Sequence, residues 1–178
     1  MSGNGIAVVV MGVAGSGKTT VANLLAERLG ADMVDADDLH PAANVAKMAS
    51  GTPLTDEDRW PWLEAVGRAV RERLAAGRSV VVACSALRRA YREAIAASAE
   101  APVRFAHLDG SRELIAARMA ARAGHFMPTG LLDSQFAVLE PLEADEPGFT
   151  VAIDGTPEQT ADAIALRLRR NGAPPTGS

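Results

Sequence analysis

The segment Gly12-Val13-Ala14-Gly15-Ser16-Gly17-Lys18-Thr19 constrains this chain more than any other. It fits the Walker A pattern G-x-x-x-x-G-K-[ST], and its flanks are the ones that pattern needs. A β-branched run, Ile6 to Met11, precedes it, and helical apolar spacing at Val21, Leu24, Leu25 and Leu29 follows. Glycines let the backbone curl so that successive N–H groups face a phosphate, and the helix start adds its dipole. Gly12, Ala14, Gly15, Ser16, Gly17, Lys18, Thr19 and Thr20 are therefore expected to surround a nucleotide. Lys18 should reach the β- and γ-phosphates and Thr19 should ligate Mg²⁺, so ATP and Mg²⁺ are the expected cofactors.

The strand, loop, helix pattern recurs. Met33-Val34 precedes an acidic loop, Ser79 to Cys84 an Arg-rich helix, Val103 to Leu108 the helix Arg112 to Ala123, and Phe149 to Ile153 the helix Gln159 to Arg170. Five strands alternating with helices predict an α/β fold, a parallel sheet with helices on both sides in a three-layer α/β/α arrangement. Thr55 followed by Asp56, Glu57 and Asp58 predicts an N-cap and an acidic first turn, with the helix running towards Ala76 and ending at Gly77.

With 178 residues and 48 % hydrophobic content, one well-buried domain is expected over residues 1–171. The tail 172–178 has nothing apolar to bury and is expected to be disordered. A net charge of -4 argues against a nucleic-acid-binding surface. The apolar run Ile6 to Val13 is too short to span a bilayer and lacks the flanks of a signal peptide, so no membrane partner is expected. A single cysteine, Cys84, excludes an internal disulfide and suits a reducing cytoplasm; at a strand end it reads as a small buried residue. Only Lys18 and Lys47 are lysines among 18 basic side chains, which singles both out.

Neither lysine is followed two residues later by Asp, which rules out a guanine-reading element. A small-molecule or nucleotide kinase fits better than a switch or a motor. Asp35 and Asp37 leave the second strand beside the phosphate loop, and alternation aims them the same way. Asp35 is assigned to the metal with Thr19, and Asp37 to the attacking hydroxyl. His40 is a candidate for an acceptor carboxylate or hydroxyl, the alternative being a loop-packing residue; Lys47 either pairs with substrate or lies on a wet helix face. Trp60 and Trp62 read as core or interface anchors. On the helix after strand four, Arg122 is expected at the transferring phosphate and Arg118 nearer the nucleotide, within a lid over about residues 118–134. Asp154 to Pro157 is placed near adenine.

Beyond the Walker A segment, the chain resembles the gluconokinase family of P-loop kinases, which is related to shikimate kinases and nucleoside monophosphate kinases. The resemblance rests on Asp35 to Pro41, Lys47 to Leu54, Asp56 to Leu63, Cys84-Ser85-Ala86-Leu87 with Tyr91-Arg92, Gly124-His125-Phe126, and Ser134-Gln135-Phe136 with Leu139-Glu140-Pro141. It implies transfer of the ATP γ-phosphate to D-gluconate, sheet order 2-3-1-4-5, a cytoplasmic location and a homodimer. It also implies an acceptor pocket of Asp37, His40, Lys47, Arg59, Arg92, His125 and Gln135. The chain departs from the family at Ala36, where glycine is frequent, and at Arg88, where lysine is common. Two rivals stay open: a kinase for another small acceptor such as shikimate or a nucleoside monophosphate, and a non-catalytic nucleotide-binding regulator.

Overall fold

A computed structural model describes residues 5–123 and 129–172. Five parallel strands, β1 (Ala7–Met11), β2 (Asp32–Asp35), β3 (Val80–Ala83), β4 (Arg104–Asp109) and β5 (Gly148–Ala152), form one sheet in the order β2-β3-β1-β4-β5. This is the order that the family resemblance implies. Each predicted strand is present with ends shifted by at most one residue. Of the tail 172–178, Gly172 ends the last helix instead of being disordered, and 173–178 lie outside the described residues.

All five residues of β1 are buried, because both faces of the central strand are covered. Val8 and Val10 face one apolar layer with Val21 and Leu25 of α1 (Lys18–Leu29), Ile115 of α5 (Arg112–Ala123) and Ile164 of α7 (Pro157–Gly172). Ala7, Val9 and Met11 face the other, with Leu63, Val66 and Val70 of α3 (Asp56–Ala75) and Ile95 of α4 (Arg89–Ala99). Helices α3 and α4 touch closely at Gly67, where a Cβ would stand 2.5 Å from that of Ser98 and 2.6 Å from the Ile95 carbonyl oxygen.

Two further helices are α2 (Ala42–Ala49), which carries Lys47, and α6 (Thr129–Val138), which begins within the span expected to form a lid. The α3 start matches expectation: Thr55 accepts the Asp58 N–H while the Asp58 carboxylate accepts the Thr55 N–H, a reciprocal capping box. Because every strand is parallel, the loops after β1, β2, β3, β4 and β5 all leave the same edge of the sheet. That edge is where a ligand of such a sheet binds.

Candidate active site

The first helix shows how the phosphate loop stays available. Its N-cap, Gly17, offers no side-chain acceptor, and its first turn holds no acidic residue, in contrast to the self-capped α3. The N–H groups at the start of α1 are therefore left for an external anion. Gly15 and Gly17 hold φ of 79° and 89°, left-handed values that disfavour any side chain. The Ser16 hydroxyl is buried and has no partner among the described residues. Lys18 folds back and donates to the Val13 carbonyl at 3.1 Å. Burial pulls its ammonium below the usual lysine range, with Asp37 and Asp35 acting in the opposite direction. An arriving phosphate would meet a cation with no ion pair among the described residues.

Asp35 ends β2 at the mouth of this loop. Its Oδ2 lies 3.4 Å from the Thr19 hydroxyl, while Oδ1 accepts the Asp37 N–H at 3.0 Å. The Thr19 and Asp35 side chains assigned to one metal thus meet, and Asp37 stands exposed two residues on. Ala36 between them is fully buried and does not adopt positive φ, so the absence of glycine costs nothing here.

The loop that carries these acids is bolted to α3. Trp62 Nε1 donates to the Ala36 carbonyl at 2.7 Å, and the His40 ring stacks on the Trp62 indole at 4.2 Å and 15°. Asn44, buried in α2, donates to the Asp58 carbonyl at 2.9 Å and lies 3.2 Å from His40 Nδ1. Trp62 is a core anchor as expected, at 5 % exposure, whereas Trp60 is 36 % exposed; the bond from Trp62 to the acidic loop and the role of Asn44 were not read from the sequence. Burial pushes His40 below its ordinary range; Asp37 opposes that shift and Arg59 adds to it.

The remaining candidates are distributed unevenly. Lys47 reaches Asp58 at 2.7 Å and helps hold that carboxyl down to about 2, yet 40 % of its side chain stays exposed. Arg59 donates to the Leu54 carbonyl at 2.8 Å and lies 5.5 Å over the Tyr91 ring, whose hydroxyl donates to Asp56 at 2.6 Å. Gln135, on α6, comes to the nucleotide side: its Oε1 accepts the Ala14 N–H at 2.5 Å. Arg118 donates to the carbonyls of Ile153 and Gly155, tying α5 to the loop expected near adenine. Arg122 belongs to α5, one turn beyond Arg118, but its side chain lies outside the described residues, as does His125 and the stretch 124–128 of the expected lid.

Arg92, expected at the acceptor, has its partners inside the protein. Its side chain is 1 % exposed, paired with Glu146 through Nε at 2.7 Å and Nη2 at 3.0 Å, while Nη1 donates to the Ala86 carbonyl at 2.8 Å. Three donors of this guanidinium are thereby committed to acceptors of the protein itself. What it supports is a strained turn: Ala86 has φ 44°, and the neighbouring Ser85 carbonyl accepts the Gly12 N–H at 3.3 Å. Arg92 braces the floor of the phosphate loop from behind. Cys84, in the same turn, is 2 % exposed, and burial pushes its thiol up to about 12, which removes it as a nucleophile.

A family model described as an AAA domain matches residues 8–142, the span from β1 to just beyond α6. Over most of its length the chain is similar to a gluconokinase of Gluconobacter oxydans, 49 % identical over 157 residues with 88 % of each chain covered. It is similar also to the thermosensitive gluconokinase of Escherichia coli K12, at 44 % identity with 94 % of this chain and 91 % of that one covered. The crystal structure of a gluconokinase from Sinorhizobium meliloti superposes with a TM-score of 0.82 at 43 % identity, over 94 % of this chain and 95 % of the other. A phosphate loop, an acidic loop at its mouth and these relatives agree: the chain belongs to the gluconokinase family of P-loop kinases.

Proposed function

We propose that the protein phosphorylates D-gluconate with ATP, yielding 6-phospho-D-gluconate and ADP. The observation that carries this reading is the approach of Asp35 to Thr19 at 3.4 Å, which sets the acidic loop against the phosphate loop. In this mechanism the loop amides and Lys18 hold the β- and γ-phosphates, and the exposed Asp37 accepts a hydrogen bond from the attacking hydroxyl and then its proton. His40, Lys47 and Arg59 supply polar and cationic contacts to a polyol acid. Arg122 is assigned to the charge spread over the transferring phosphoryl group, with Arg118 on the nucleotide side. His125 is carried to the acceptor by the family resemblance. Thr19 and Asp35 would hold a Mg²⁺, which would supply positive charge to offset that of the phosphates. The lid over residues 118–134, a cytoplasmic location and a homodimer complete the proposal.

Purified protein with ATP and Mg²⁺ should release ADP in the presence of gluconate and not with shikimate, AMP or CMP. No gluconate-dependent turnover would remove the proposal, and preference for one of the other three would replace it. ATP binding without turnover on any acceptor would favour a regulator.

A further inference from the structure

The bonding of Asn44 fixes a proton elsewhere. The residue is 3 % exposed, and Nδ2 serves two neighbours, the Asp58 carbonyl oxygen at 2.9 Å and His40 Nδ1 at 3.2 Å. A backbone carbonyl can only accept, so the atom facing it must be the amide nitrogen and not the amide oxygen. The second hydrogen of that nitrogen then points at His40 Nδ1, which must offer a lone pair. A neutral imidazole with a lone pair on Nδ1 carries its proton on Nε2. The indole of Trp62, itself anchored to Ala36, holds the ring plane. Nε2 has no partner among the described residues and is not among their buried unpartnered atoms.

We infer that Asn44 is a positioning residue that locks His40 as the Nε2–H tautomer, so that His40 meets the acceptor as a hydrogen-bond donor to a hydroxyl or carboxylate oxygen. The pocket then divides its labour. Asp37 takes a proton-bearing hydroxyl, and His40 takes an oxygen lone pair, a complementary pair suited to a polyol acid. A doubly protonated imidazolium would turn an N–H against the Asn44 N–H, so the same contact disfavours the charged ring. Burial and the Arg59 cation act in that direction too, against the pull of Asp37. The choice of acceptor rests on the gluconate proposal; the tautomer does not.

The test is a ¹⁵N spectrum of histidine-labelled full-length protein at pH 7.5. His40 should show an unprotonated Nδ1 and a protonated Nε2. In Asn44→Leu that bias should relax to rapid exchange between tautomers while the His107 signals, reporting the core, stay in place. The same variant should raise the gluconate KM roughly five- to tenfold, the worth of one hydrogen bond, and leave the ATP KM within about twofold. A protonated Nδ1 in the unmodified protein, or an unchanged tautomer in Asn44→Leu, overturns the inference whatever the acceptor proves to be. Absence of gluconate turnover in the unmodified protein would instead strike the functional proposal and leave the spectrum to decide the tautomer.

Discussion

Arg92→Met separates a structural arginine from a substrate ligand. The guanidinium makes two contacts to Glu146 and one to the Ala86 carbonyl, with both charged partners almost fully buried at 1 % and 5 % exposure. Methionine fills much of the space but leaves the Glu146 carboxylate without its cation and the Ala86 carbonyl without a donor. Removing one member of a buried pair costs about 3–5 kcal/mol, which in a chain of this size lowers Tm by roughly 6–20 °C. The double variant Arg92→Met/Glu146→Leu should recover most of that loss, since apolar replacement of a whole buried pair is often close to neutral. Calorimetry on the four proteins of the cycle measures both quantities. An unchanged Tm in Arg92→Met, together with a gluconate KM raised tenfold or more, would refute the structural assignment and return Arg92 to the acceptor pocket.

Three other outcomes follow from the same geometry. Gln135→Ala frees the Ala14 N–H for a phosphate oxygen and should lower the ATP KM by roughly two- to tenfold; a higher ATP KM would mean that Gln135 helps to hold the nucleotide. Cys84, inert by burial, should resist an aromatic disulfide reagent at pH 8 in the native protein and react fully once the chain is unfolded in guanidinium; rapid native reaction would contradict its placement. Burial holds His107 below its ordinary 6.5, the nearby Arg92 adding to that and Asp109 opposing it. The unfolded chain therefore takes up the proton first, and stability present above about pH 6.5 falls as pH drops towards the folded-state pKa. Thermal melts at pH 7.5 and 5.5 should show this loss shrinking in His107→Gln, and an equal loss in both proteins would assign it to other groups.

The layered fold was legible because its signals are local. A β-branched run, a glycine turn and a 3.6-residue apolar period sit side by side at Ile6 to Leu29, and Thr55 to Asp58 announce their helix with a capping box. Asp35 and Thr19 could be paired in advance because the Walker A pattern fixes which edge of the sheet matters. Arg92 could not be placed, since its partner Glu146 lies 54 residues away and a sequence displays charge without burial. Asn44 was invisible for a similar reason: its role depends on a carbonyl of α3 and on a ring stacked upon Trp62. Gln135, matched by resemblance to the acceptor, meets the phosphate loop because α6 packs over it, a tertiary contact across 121 positions.

Phosphoryl transfer from the loop of Lys18 to a hydroxyl held by Asp37 is most directly tested by single-turnover ADP formation in Asp37→Asn with saturating ATP and gluconate. Asparagine keeps the shape and cannot take the proton, so the rate should fall by about 10²–10⁴ while Tm stays within about 2 °C of the unmodified protein. A rate within a few fold of the original, at unchanged stability, would contradict the assignment of that carboxylate to the reacting hydroxyl.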